Sequence, residues 1–315
     1  MTPHPTLSRR GLLSRLQGME AHEELRSYLF AIAYRMLGSV ADAEDVVQEA
    51  FLRYQAAGVA PESPKAYLAT ITTRLAIDQL RSARAQREVY PGEWLPEPLA
   101  EDDAPRHAEM ADSLSLAFLH LLEKLSPVER AVFLLREVFD YPYEDVARIV
   151  GKSPANSRQI LARAHAHIDE GRRRFEVSRA EREEVARRFI EAWETGDTDA
   201  LVAVLAPDAT LYGDGGGKAQ AIRQPLVGAL RVAKALIGWR PMTLEHGVTY
   251  RVTSVNGEPG IVYYWPDGRV AGVQELEIAD DVVVAVRTVL NPDKLAHLAA
   301  GSTTNTGAVG RNQNP

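Results

Sequence analysis

A chain of 315 residues, 45% apolar and 25% charged, is sized for two or three folded domains, which excludes a wholly disordered or fibrous chain. Its lack of cysteine excludes disulfides and thiolate metal sites and suits a reducing compartment. The net charge of −7 argues against a polyanionic partner only as an average, because residues 40–50 carry −4, 65–88 carry +3, 88–112 carry −7 and 148–174 carry +5. Two basic islands joined by an acidic connector fit two contacts to one polyanion; taken alone they fit ordinary solvated helix faces equally well.

In chain order, residues 1–19 read as a disordered lead, with Met19 as an alternative start. Arg9, Arg10 and Arg15 precede no apolar stretch, so no signal peptide is expected, and no apolar run reaches membrane-spanning length. Residues 20–88 read as a helical domain. On a helical wheel, Ala43, Val47, Ala50, Phe51 and Tyr54 share one face of Asp42–Ala56, and Asp42, Asp45, Gln48 and Glu49 share the other, with no base expected at i+4 to relieve the repulsion. That face reads as solvated or as a dock for a basic partner. Ser63-Pro64 starts the next helix. There Leu68, Ile71, Leu75 and Gln79 point to the core beside Thr72 and Ala76. Tyr67, Arg74 and Arg81 form a second stripe flanked by Thr70, Thr73, Ile77 and Arg84, suited to phosphates and an unstacked base.

Residues 89–112 read as an acidic linker in which Pro91, Gly92, Pro96, Pro98 and Pro105 deny regular structure and the acids deny a core. Residues 113–176 read as a helix-turn-helix unit. Ser126-Pro127-Val128-Glu129 is a capping box opening a helix to about Phe139. A second helix, Tyr143–Val150, turns Val146, Ala147 and Val150 inward and stops at Gly151, and Ser153-Pro154 starts a third reaching about Arg174. On this third helix Ser157, Leu161, Ala164 and Ile168 face inward. Asn156, Arg158, Gln159 and Arg163 project outward, side-chain types that read base edges, while Arg172, Arg173 and Arg174 suit phosphates. From 181 to 296 two helices (182–195 and 198–206) precede strands at Thr249–Val255, Gly260–Trp265, Val270–Ile278 and Val282–Leu290, with turns at Asn256-Gly257, Asp267-Gly268 and Asp280-Asp281. This predicts an α+β domain with a curved antiparallel sheet, followed by a disordered tail, 297–315.

The order acidic-faced helix, basic helix, acidic linker, helix-turn-helix resembles an extracytoplasmic-function (ECF) sigma factor of bacterial RNA polymerase over about residues 20–175. The string Asp42-Ala43-Glu44-Asp45-Val46-Val47-Gln48-Glu49-Ala50-Phe51 looks like region 2.2, which in that family grips the β′ clamp helices. Residues 65–88 look like regions 2.3 and 2.4, which melt and read the −10 element. Residues 113–175 look like region 4, whose third helix reads the −35 element near the β flap. The remainder resembles a SnoaL-like domain of cystatin-like cone fold, as fused to the sigma J-like subgroup. The carriers are Trp94-Leu95-Pro96-Glu97-Pro98, Asp214-Gly215-Gly216-Gly217-Lys218 and Asn291-Pro292-Asp293-Lys294-Leu295. Arg74 stands where many ECF factors have Asn, and Ser157 where an apolar residue commonly packs.

The resemblance implies a multidomain, cytoplasmic, non-enzymatic transcription initiation factor whose partners are core RNA polymerase and promoter DNA. It also implies a regulatory contact in cis, with the loop Asp214–Lys218 and Asn291, Pro292 and Asp293 near Trp94, Leu95 and Pro96, and Trp94 as the anchor. The glycine-rich loop alone reads equally as a flexible turn, and it is not a phosphate-binding P-loop. The alternatives are a small-molecule sensor or an enzyme attached to a helix-turn-helix regulator, with His246, Asp214, Tyr212 and Trp193 as pocket candidates, or an ordinary repressor. No metal-ligand spacing is present in the sequence, so neither metal nor cofactor is expected.

Overall fold

A computed structural model describes residues 9–87, 89–100, 115–169 and 178–298. Among the described residues the first half forms seven α-helices: α1 (Arg9–Leu37), α2 (Val40–Ala57), α3 (Pro64–Arg87), α4 (Leu116–Leu122), α5 (Pro127–Phe133), α6 (Tyr143–Val150) and α7 (Pro154–Asp169). The first helix starts at Arg9 rather than near residue 20, because residues 9–19 contain no proline to stop it. Ser39 caps α2 by accepting from the Asp42 amide, and Gly58 closes it in the left-handed conformation. The capping box at Ser126 and Glu129 forms as the sequence predicts. The helix it opens passes into a π-helical turn, Leu134–Val138, before ending at Phe139. Gly151, at φ 68°, ends α6 where expected.

One apolar core runs through all of α1–α7, from Leu29, Phe30 and Tyr34 to Leu161, Ala164 and Ile168. The two helical units therefore pack on each other. On α3 burial extends past the predicted core stripe to Thr73 and Ile77, 0% and 5% exposed, because α5 and α6 cover that side of the helix.

In the second half, α8 (Arg179–Thr195) and α9 (Thr198–Val204) lead into β1 (Leu205–Asp214), then β2 (Leu226–Val227), α10 (Ala229–Glu245), β3 (Thr249–Val255), β4 (Glu258–Tyr264), β5 (Val270–Ala279) and β6 (Val282–Val289). The sheet order is β2-β1-β6-β5-β4-β3. All pairings are antiparallel except β1 with β6. The strand β1 and the helix α10 were not expected from sequence. The predicted hairpin turns form at Asn256-Gly257 and Asp280-Asp281, both with positive φ. Helices α8–α10 cover one face of the sheet through Phe189, Trp193, Val232 and Leu236. The other face, with Val262, Val273 and Val289, packs on Leu95, Ala100 and Leu116. Contrary to expectation, the linker thus contributes to a core: its Leu95 and Ala100 pack on the sheet and its Leu99 packs on the helical core. Most of its acids follow at 101–112, outside the described residues, as do Arg172–Arg174 and the tail from 299.

Candidate functional site

The outward face of α2 is open. Asp45 and Gln48 are exposed and Asp42 and Glu49 half-buried, while Ala43, Val46, Val47 and Ala50 are buried beneath. The expectation that no base relieves this face is corrected by Arg53, whose Nε donates to Glu49 at 2.7 Å from i+4. The pair is exposed and leaves Asp42 and Asp45 to dominate the field.

The presumed −35 readers are also open: Asn156, Arg158, Gln159 and Arg163 are all exposed on α7, over buried Ser157, Ile160, Leu161 and Ala164. The Arg158 guanidinium lies 4.7 Å from the ring centre of Tyr143, which orients it. Ser157 sits in the core without loss, because its hydroxyl donates to the Ser153 carbonyl at 3.1 Å.

The presumed −10 stripe differs. Arg81 is exposed and pairs with Asp78, and Tyr67 is half-buried beside Tyr54. The side chain of Arg84 lies outside the described residues. Arg74 instead reaches region 113–176: its Nε donates to the Ile149 carbonyl at 2.9 Å and its Nη2 to the Arg148 carbonyl at 2.8 Å.

The three motifs in and beyond the linker converge on Asp214, which is fully buried at the end of β1. Its Oδ2 accepts from Lys294 Nζ at 2.6 Å and from the Leu95 amide at 2.9 Å. Its Oδ1 accepts from the Tyr90 hydroxyl at 2.6 Å and the Gly216 amide at 3.0 Å. A buried carboxylate needs such a set of donors to remain charged. Lys294 also donates to the Leu95 carbonyl and lies 4.0 Å from the Trp94 ring. Burial and the neighbouring Asp214 charge push the Tyr90 phenol up, so it remains a donor. Gly216 has φ 56°, and a Cβ there would meet Asn291 Nδ2 at 2.2 Å. Asn291 in turn donates to Tyr90 at 2.9 Å and accepts from the Asp293 amide. Lys218 and Asp293 form an exposed ion pair at the rim, while Pro292 opens the short 3-10 turn Pro292–Lys294.

From this centre the linker touches both helical units. The Trp94 ring lies against Gly38, where a Cβ would come within 2.8 Å of it. The Glu97 amide donates to the Gly38 carbonyl at 2.8 Å, and its carboxylate accepts from the Val40 amide at 2.6 Å. The Tyr34 hydroxyl donates to the Glu97 carbonyl at 2.6 Å and accepts from Asn256 Nδ2 at 2.9 Å. On the other side, Glu275 of β5 accepts from the Leu116 amide at 2.8 Å, joining the sheet to α4, and Glu93 pairs with His120 at 3.0 Å. Burial, with Glu258 and Glu277 nearby, pushes the Glu275 carboxyl up to about 8 despite Arg287. Sequence reasoning missed Tyr34, Tyr90, Asn256 and Glu275. Only Asn256 carried a signal, as the first residue of an Asn-Gly turn.

The enzyme candidates are not brought together. Trp193 packs among the helices on one face of the sheet, Asp214 and Tyr212 belong to the linker side, and His246 is exposed at the end of α10. Among the described residues no group of acids and histidines could hold a metal ion, and no helix is long and apolar enough to cross a membrane.

Family models match residues 21–86 as Sigma-70 region 2 and residues 115–168 as Sigma-70, region 4. The chain is 34% identical over 289 residues to the ECF RNA polymerase sigma factor SigJ of Mycobacterium tuberculosis, covering 86% of this chain and 91% of that one. It is 33% identical over 290 residues to the probable ECF sigma factor SigI of the same organism, covering 87% and 93%. The chain belongs to the ECF RNA polymerase sigma factor family. The crystal structure of M. tuberculosis SigJ superposes with a TM-score of 0.73 at 32% identity, covering 90% of this chain and all of that one. This sigma factor therefore carries regions 2 and 4 and a fused C-terminal helix-and-sheet domain, and it directs promoter-specific transcription initiation by RNA polymerase.

Proposed function

We propose that this sigma factor is held closed in cis by its C-terminal domain through the linker, and that engagement of core polymerase opens it. The observation that carries this reading is the buried Asp214, whose four donors come from the linker (Tyr90, Leu95), the glycine loop (Gly216) and the C-terminal motif (Lys294). Such a site is built for one docked linker position. Moving the linker away would remove two of the four donors to this carboxylate, the Tyr90 hydroxyl and the Leu95 amide. In the open complex Asp42, Asp45, Gln48 and Glu49 dock on the basic β′ clamp helices. Tyr67, Arg74, Arg81 and Arg84 engage the −10 element, and Asn156, Arg158, Gln159 and Arg163 read the −35 major groove beside the β flap. The factor works where its polymerase does, in the cytoplasm. The test is reconstituted transcription with core polymerase: Trp94→Ala changes transcript yield while the chain stays folded, and an unchanged yield contradicts cis control.

A second reading is supported by Tyr250. Its hydroxyl is buried without a hydrogen-bond partner, beside the rings of Trp193 and Tyr263. A donor spare in an aromatic setting suits a small ligand with an acceptor group, which would make the domain a sensor. Native mass spectrometry of the purified chain tests this by the presence or absence of a retained small molecule.

A further inference from the structure

We propose that region 4 itself latches onto the promoter-melting helix of region 2, with Arg74 as the pin, and that this latch is separate from the linker contact at Asp214. Arg74 is the residue whose position on α3 marks it for −10 DNA, yet two of its three donating nitrogens, Nε and Nη2, are turned onto carbonyls near the C-terminal end of α6, Ile149 at 2.9 Å and Arg148 at 2.8 Å. Those carbonyls have no intrahelical donor to spare for them at a helix end, and the negative end of the helix dipole favours a guanidinium there. Thr73 and Ile77, its neighbours one residue before and three after, are buried. A reciprocal contact runs the other way. Arg130 of α5, 2% exposed, donates through Nη1 to the Met36 carbonyl near the end of α1 at 2.7 Å while its Nη2 pairs with Glu123. The Tyr28 and Tyr141 hydroxyls meet at 2.8 Å across the same seam, and Arg35 lies 5.3 Å from the Phe139 ring centre. None of these groups belongs to the linker or the C-terminal domain.

Two of the three guanidinium nitrogens of Arg74 are committed to those carbonyls, so a phosphate or base that takes the whole fork must displace them. Arg74 is therefore exchanged between region 4 and DNA, while the −35 readers on α7 remain exposed throughout. The free chain is thus asymmetric: the α7 surface is open, while on α3 Thr73 and Ile77 are covered and Arg74 is tied to region 4.

The chain has no cysteine, so cysteines placed at exposed Gln55 and Ala166 accept a donor–acceptor dye pair specifically. Single-molecule energy transfer is then measured on the free full-length chain, with circular dichroism confirming that each variant is folded. Arg74→Gln and Arg74→Lys are both expected to lower the ratio of closed to open molecules about fivefold, the worth of two exposed hydrogen bonds. Lysine keeps the charge for DNA but not the planar fork, so its failure to rescue separates latch from charge. Unchanged ratios in both variants overturn the latch. Trp94→Ala in the same assay probes the linker contact alone, so the two readings fail independently.

Discussion

Replacing Lys294 by methionine removes the cation from the buried centre while keeping most of the side-chain volume. Lys294 and Asp214 side chains are 7% and 0% exposed and their charged atoms 2.6 Å apart. Stranding one partner of such a pair costs about 3–5 kcal/mol. The lower end applies here, because Tyr90, Leu95 and Gly216 still donate to Asp214. With a denaturant slope of about 1.5 kcal/mol per molar urea, a loss of about 3 kcal/mol moves the midpoint of the C-terminal transition down by about 2 M. Trp94, 4.0 Å from Lys294, reports the local transition by its emission, with Trp94→Phe as the subtraction control. The double variant Asp214→Asn/Lys294→Met strands no charge and is expected to recover about 2 kcal/mol relative to the sum of the single losses. Additive losses, or a Lys294→Met loss below about 1 kcal/mol, would refute the reasoning that this pair is the buried keystone of the linker contact.

Three further outcomes follow from the same geometry. Glu275 has its folded-state pKa raised to about 8, so its contribution to stability is fully present below the ordinary carboxyl value and is lost as pH rises toward 8. Glu275→Gln, which still accepts from the Leu116 amide, is expected to gain stability on the wild type between pH 5 and pH 8 in urea titrations, and parallel curves would contradict this. Gly38→Ala forces a Cβ against the Trp94 ring at φ 67° and is expected to cost about 1–2 kcal/mol and speed proteolytic cleavage of residues 89–100; an unchanged cleavage rate counts against the contact. Asp45→Lys/Glu49→Lys reverses the open acidic face of α2 and is expected to weaken core-polymerase binding at least tenfold in a pull-down at low salt, whereas wild-type binding would remove the docking assignment.

Much of this architecture was legible because local rules carry it. The capping box at Ser126, the stop at Gly151 and the Asn256-Gly257 and Asp280-Asp281 turns are short-range signals, and each forms. The helix α10 and strand β1 were missed: α10 contains Pro241, and β1 is interrupted by Ala206-Pro207-Asp208, so neither presents a clean period. The linker was misread as coreless because its charge was averaged over 88–112, which hid Leu95, Leu99 and Ala100, whose side chains pack on the sheet and on the helical core. The motifs around Asp214 were identified by resemblance, but the Tyr34–Asn256 and Leu116–Glu275 hydrogen bonds join residues far apart in sequence and leave no local trace. Arg74 shows the same limit in another form: its position marks it for DNA, and only the packing of region 4 reveals its competing partners.

The central claim is that a linker docked at Asp214 governs an otherwise competent sigma factor. The direct measurement is transcription from fragmented genomic DNA by core polymerase with either the wild type or Asp214→Ala, followed by sequencing of transcript 5′ ends. The account predicts the same start sites for both proteins with a changed yield for the variant, since the linker contact is lost and the DNA-reading side chains are untouched. Identical yields, or no defined start sites with the wild type, would contradict it.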